Sequence, residues 1–207
     1  MGDQPGLERF FQIRAKKQKH ILNAAFTVFG KQGYRKASIA DIAKEAGTTK
    51  GMITYYFGSK KNLYLYLVEL VQSGSLQVVR EQLDSADKDF FEKIKAITEV
   101  QLAAMKEYPA IINFANSVYY EKDPEVAEEL EQIINRGEAA ANRLLEEGTD
   151  LSRIKPGFDL KLIHKLFIWA NIGFMEELCG PGGSDKADEL IDQFYRCLDM
   201  MKQVFYK

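Results

Sequence analysis

Between Ser38 and Lys61 the chain reads Ser-Ile-Ala-Asp-Ile-Ala-Lys-Glu-Ala-Gly-Thr-Thr-Lys-Gly-Met-Ile-Thr-Tyr-Tyr-Phe-Gly-Ser-Lys-Lys, and few backbone paths accommodate that order. Ser38 followed three residues later by Asp41 has capping-box spacing, and Ile39, Ile42, Ala43 and Ala46 recur as one small apolar face. Gly47 ends this helix, because glycine takes the left-handed backbone at no steric cost. Thr49 then caps a second helix over 50–56, whose Ile53 and Phe57 turn inward while Lys50, Thr54 and Tyr55 are left outward. Two short helices joined by a tight turn, with a basic side chain and hydroxyls on the outer face of the second, have the form of a helix-turn-helix. That shape fits a DNA major groove.

Charge is distributed to match. Residues 1–60 carry eleven Lys/Arg against four Asp/Glu, a net of +7, while residues 61–207 carry seventeen against twenty-six, a net of −9. A chain whose total is only −2 has gathered its positive charge on the first third, as expected where that part alone meets a polyanion. A locally basic segment also occurs in ordinary helical proteins, so charge by itself supports the reading without deciding it.

A longer pattern surrounds the turn. Ahead of it stands His20-Ile-Leu-Asn-Ala-Ala-Phe-Thr-Val-Phe-Gly30, closed by Lys31-Gln-Gly33-Tyr34, then Ala37-Ser38 and Asp41-Ile-Ala43; after it come Lys50-Gly51, Tyr55-Tyr56-Phe57 and Ser59-Lys60-Lys61-Asn62-Leu63. Over about residues 13–65 the chain resembles the TetR/AcrR family of bacterial helix-turn-helix transcriptional regulators. That resemblance implies binding to a double-stranded DNA operator. On it, Lys50 and Thr54 are the expected base contacts, Gly51 admits the backbone, and Ser38, Thr48, Thr49, Tyr55, Tyr56 and Lys60 complete the DNA-binding set, several of them on phosphates. Thr48 stands where the family commonly has an apolar turn residue, and Thr54 where a tyrosine is frequent; Thr54 replaces a large ring with a hydroxyl and a methyl, so the family's base contacts do not transfer directly. For Tyr56 the competing role is packing against the first helix.

Composition narrows the remainder. No apolar run is long enough to cross a bilayer, and the first dozen residues lack a signal-peptide core, so no membrane partner and a cytoplasmic location are expected. Cys179 and Cys197 lie far apart with no CxxC and no histidine cluster, which favours free thiols over a metal or redox role. With no glycine-rich phosphate loop, no metal-spaced ligand set and no partnered nucleophile, no catalytic residue, metal or cofactor is expected.

Periodicity predicts an all-α chain of about nine helices and no strand. A three-helix headpiece over residues 1–60 precedes a helical body over 61–207, which the resemblance implies is a ligand-binding and dimerisation domain. Helices are expected over 13–31, 60–82 after a Ser59 cap, 90–107, from Pro109, after Asp123-Pro124 as far as Gly148, 159–179 and 185–204, with breaks at the Asp84–Asp89 run and at Gly180–Ser184.

The helix over 159–179 carries two apolar stripes: Leu160, Ile163, Phe167, Ala170, Phe174 and Leu178, and beside them Leu162, Leu166, Trp169 and Gly173. The last helix adds Ile191, Phe194, Leu198, Met201 and Phe205. Surface of that extent calls for a second copy, so a homodimer is expected, with Trp169, Gly173, Phe194, Leu198 and Met201 at its interface and two headpieces addressing a palindrome; a monomer burying both stripes is the alternative.

The resemblance further implies a mostly apolar effector pocket. Met105, Phe114, Val118, Ile134 and Phe167 are its apolar candidates, with Ser117, Glu138, His164 and Asn171 as polar handles, although plain core packing is the commoner role for each apolar residue. The function this implies is a repressor released from its operator by an unknown, largely apolar small molecule. Effector binding would move the helix from Pro109 against the lower part of the 60–82 helix, Tyr108-Pro109 being its contact end. A nucleoid or division factor whose body binds protein is the alternative.

Overall fold

Where Ser, Thr or Asp precedes apolar periodicity, a helix begins. The computed structural model describes residues 5–82, 89–180 and 182–207. Among them are ten α-helices, α1 (Pro5–Gln12), α2 (Ala15–Lys36), α3 (Ile39–Glu45), α4 (Lys50–Phe57), α5 (Lys60–Gln82), α6 (Phe90–Glu107), α7 (Ile111–Tyr120), α8 (Ala127–Glu146), α9 (Leu160–Cys179) and α10 (Ala187–Phe205), with two 3-10 turns and no strand. Asp159 caps α9 by accepting the Lys161 amide. Ser59 Oγ accepts the Asn62 amide at 3.0 Å to open α5, and Asp89 Oδ1 accepts the Phe91 amide at 2.9 Å to open α6. Of the expected breaks, residues 84–88 and 181 lie outside the described residues.

Two differences from the sequence reading have local causes. The tenth helix is α1, too short to register as periodic, yet its Leu7 and Phe10 are buried. The first long helix, expected over 13–31, is broken at Gly33, whose φ of 69° and ψ of 174° leave the helical path, and a separate short turn follows as far as Lys36. Only glycine adopts that backbone cheaply.

The chain forms two compact units, Met1–Ser73 with Ala104–Asn135, and Gly74–Ala103 with Arg136–Lys207. The first is built on rings. Phe29 meets Tyr64 edge-on at 5.0 Å, Tyr64 lies 5.1 Å from Tyr34, and Phe114 of α7 reaches Phe26 at 5.3 Å and Tyr64 at 5.5 Å. At Gly30 the backbones of α2 and α7 nearly touch: a Cβ there would stand 3.0 Å from the Phe114 nitrogen. Helix α7 is thereby seated on the first long helix of the helix-turn-helix segment.

In the second unit Phe167 lies 6.0 Å from Phe90 and 5.5 Å from Phe91, and Phe174 stacks on Phe194 at 4.4 Å. Asp89 pairs with Lys202 at 2.9 Å and Arg153 at 3.0 Å. Burial alone would push the Asp89 carboxyl up, but the Lys202 ammonium and the Phe91 and Glu92 amides outweigh it and hold the group below its ordinary value. Lys93, itself buried, donates to the carbonyls of Leu144 and Glu147 and to the Thr149 hydroxyl. It thus supplies donors to two of the carbonyls at and just beyond the end of α8, while Thr149 serves those of Leu145 and Glu146.

Candidate nucleic-acid interface

The turn between α3 and α4 is fixed by its own small side chains. Ser38 Oγ accepts the Asp41 amide at 3.1 Å and lies 2.6 Å from Asp41 Oδ2, to which its hydroxyl donates. Gly47 takes a φ of 59°, after which the Thr48 amide returns to the Ala43 carbonyl at 2.9 Å. Thr49 Oγ1 accepts the Met52 amide at 3.3 Å. The Ser38 proton is therefore committed inside the motif, whereas the Thr49 hydroxyl keeps its proton for an outside acceptor.

On α4, Lys50, Gly51, Thr54 and Tyr55 are exposed and Ile53 and Phe57 are buried. Outward and inward faces fall where the sequence placed them, because Ile53 and Phe57 share one side of the helix. Tyr56 is buried as well, its ring edge-on to Phe10 at 5.7 Å and to Tyr55 at 5.5 Å, so packing claims the ring that was expected on DNA. The docking surface it packs against is α1, which sequence periodicity missed.

Lys60 has a partner inside the protein as well. Its ammonium donates to the Tyr34 carbonyl at 3.0 Å and lies over the Tyr34 ring at 4.2 Å. Beyond the Gly33 break the last carbonyls of α2 lack helical donors, and a lysine is the natural group to supply them. Tyr34 is held from its other side too: its amide donates to Glu121 Oε2 at 2.9 Å, in the segment after α7. Arg35 pairs with Asp123 at 2.9 Å, and Lys61 with Glu129 at 2.6 Å. The Arg35 guanidinium hydrogen bond keeps the Asp123 carboxyl below its ordinary range.

The effector candidates divide between the two units. Met105, Phe114, Ser117, Val118 and Ile134 belong to the first, where Phe114 is wholly buried among the rings and Ser117 donates to the Phe114 carbonyl at 2.7 Å. Glu138, His164, Phe167 and Asn171 belong to the second. There His164 Nδ1 lies 2.6 Å from Asn142 Oδ1 and Asn171 donates to Gln101 at 2.8 Å; burial pushes the His164 pKa down and favours the neutral ring. Each of these two polar handles already has a protein partner.

Of the five dimer candidates, Trp169 is 60% exposed and Gly173 is exposed, Met201 is half-buried, and Phe194 and Leu198 are 7% and 4% exposed. Those last two correct the expectation, since the Phe174–Phe194 stack uses their helix face inside the unit. Leu162 and Leu166, 62% and 42% exposed, extend the Trp169 stripe instead.

The profile described as "Bacterial regulatory proteins, tetR family" matches residues 21–67, the stretch holding the helix-turn-helix. The HTH-type transcriptional regulator QacR of Staphylococcus aureus is 30% identical over 132 residues, which span 62% of this chain and 68% of QacR. The chain belongs to the TetR family. This TetR-family protein is accordingly a DNA-binding transcriptional regulator. Its fold agrees: a TetR family transcriptional regulator from Chloroflexus aurantiacus superposes with a TM-score of 0.66 at 22% identity, covering 97% of this chain and 98% of its own. FadR of Bacillus subtilis, solved in complex with stearoyl-CoA, gives 0.66 at 18% identity over 87% and 95%. Among the described residues no helix is long and apolar enough to cross a membrane.

Proposed function

We propose that the chain is a homodimeric repressor that grips a palindromic operator through residues 1–60 and lets go when a small, largely apolar molecule binds its C-terminal domain over residues 61–207. The observation that carries the reading is the exposed face of α4, where Lys50, Gly51, Thr54 and Tyr55 stand clear of the core. Lys50 reaches a base edge, Thr54 a base edge or a thymine methyl, and Thr49 and Tyr55 bond phosphates. The Leu162, Leu166, Trp169 and Gly173 stripe of α9 is the contact between copies. A cytoplasmic regulator without catalytic chemistry fits all of these features.

Release follows from the seating of α7. Its Phe114 is wedged among Phe26, Phe29 and Tyr64, and Glu121 beyond its end holds the Tyr34 amide, so α7 cannot shift without acting on α2 and α5. An effector that binds one seating of α7 better than another biases the headpiece by that difference in affinity. The stearoyl-CoA held by the FadR neighbour supports an effector with a long apolar chain, whatever polar group that chain carries.

The test uses a duplex recovered by the wild-type protein from a randomised library. Lys50→Ala should weaken binding by about tenfold or more and relax sequence preference, the loss of about 1 to 3 kcal/mol expected for one base-reading contact. Binding by the wild type should fall by orders of magnitude as salt rises from low to physiological levels, because condensed cations are released on binding. Failure to enrich any sequence, together with a flat salt response, would refute the reading.

A further inference from the structure

The helix ahead of the family segment is docked on the recognition helix itself. Helix α1 buries Leu7 and Phe10, and Phe10 meets Tyr56 at 5.7 Å and Phe57 at 4.9 Å. Gly6 lets the two backbones close up: a Cβ there would stand 2.9 Å from the Tyr55 carbonyl oxygen, and nearer still to that of Tyr56. This docking fixes where the outer face of α1 points. Arg9 is on that face, exposed, with its guanidinium 4.9 Å from the centre of the Tyr55 ring. Tyr55 is itself 52% exposed, and no ion pair is formed by Arg9 among the described residues.

We infer that Arg9 is a DNA contact of this protein, a phosphate clamp held in place by the Tyr55 ring at the edge of the groove that α4 enters. A guanidinium stacked on an aromatic face loses little freedom and keeps its N–H edge for an anion. Most of its rotamer cost has been met before DNA arrives, which separates it from a surface lysine of equal charge. The contact positions and does not read sequence: it adds one neutralised phosphate per chain and makes the operator footprint wider than the helix-turn-helix alone requires. Nothing in residues 21–67, the segment shared with the family profile, supplies this group.

The inference rests on α4 being the DNA-reading helix, so the experiment separates the two. Wild type, Arg9→Ala, Arg9→Lys, Gly6→Ala and Lys50→Ala are titrated at several salt concentrations against the duplex selected by the wild type and against a scrambled duplex, with thermal melts on the same samples. Arg9→Ala should bind both duplexes about tenfold more weakly, with the slope of log affinity against log salt reduced by about one per bound chain and the melt unchanged. Arg9→Lys should keep the slope and recover only part of the affinity. Gly6→Ala should reproduce the loss of affinity and of salt slope seen in Arg9→Ala, with a lower melt of its own, because displacing α1 removes the clamp with its arginine intact and uncovers Leu7 and Phe10. If Lys50→Ala is impaired while Arg9→Ala matches the wild type in affinity and slope, the clamp is overturned and the recognition helix stands. Tighter binding by Arg9→Ala would mean that α1 shields the groove, which also overturns it. If neither variant differs from the wild type, the assignment of α4 fails, and the clamp with it.

Discussion

Gly30→Ala sets two effects of known sign against each other. Alanine in the interior of α2 should stabilise the helix by about 1 kcal/mol through backbone entropy. The new methyl, however, would stand 3.0 Å from the Phe114 nitrogen and 3.3 Å from the Asn113 carbonyl carbon and the Phe114 Cα, all backbone atoms of α7. Backbone cannot rotate out of the way, so α7 as a whole must give by a few tenths of an ångström. It is poorly placed to do so, with Phe114 held among three rings and Glu121 bonded to the Tyr34 amide. Overpacking of this kind costs about 1 to 3 kcal/mol, and the net expectation is destabilisation of about 1 kcal/mol. For a chain of this size that lowers the melting midpoint by about 2 to 4 °C. Because the same displacement moves α7 against α2, operator affinity should fall by more than the small loss of folded protein explains. Urea titration and operator titration on one preparation measure both. A variant stabilised by about 1 kcal/mol with full operator affinity would refute the argument, showing that α7 slides freely on α2.

The remaining expectations are smaller in scope. Lys60→Met should cost about 1 kcal/mol by urea titration, because the Tyr34 carbonyl loses a charged donor in a partly wet site, while the salt slope for DNA stays at its wild-type value. Trp169→Asp should leave the monomer folded yet abolish the dimer by light scattering, whereas Phe194→Asp should unfold the second unit, its ring being stacked on Phe174; a dimeric Trp169→Asp protein would move the interface off α9. Acid should weaken the fold in two stages visible by fluorescence or circular dichroism. His164, whose pKa is lowered by burial, favours the fold while it stays neutral, and that contribution begins to fall as pH drops below about 6.5, where the unfolded imidazole takes up a proton first. Asp89, held low despite its burial, contributes above the ordinary carboxylate pKa of about 4 and is lost as pH falls through its depressed value. His164→Gln should remove the first stage only.

What could be read in the sequence was whatever a few neighbouring residues decide. Ser38, Thr49 and Asp159 each cap the helix they precede because an oxygen on a short side chain reaches the amide two or three residues on. The faces of α4 and α9 likewise follow from helical spacing. Helix α1 was not legible, since one buried pair in eight residues carries too little periodicity; Leu7 and Phe10 at i and i+3 were its only signal. The ring of Tyr56 and the ammonium of Lys60 were assigned to DNA because both lie in the matched motif, but their partners, Phe10 and the Tyr34 carbonyl, are set by tertiary packing. The same limit governs Phe194: spacing shows that α10 has an apolar face, and only packing reveals that Phe174 already covers that ring.

The break at Gly33 turns one peptide into a gauge. With the chain leaving the helical path at φ 69°, the Tyr34 amide donates to a carboxylate beyond α7 instead of to its own helix. A hydrogen bond to a charged oxygen is short and strong, and the proton it holds should resonate downfield and exchange slowly with solvent. Selective nitrogen-15 labelling of tyrosine would place that proton among only ten resonances. Any molecule that lifts the end of α7 must first break this bond, so the Tyr34 signal should move upfield and begin to exchange before the operator is released, letting unknown effectors be screened on the free protein without DNA.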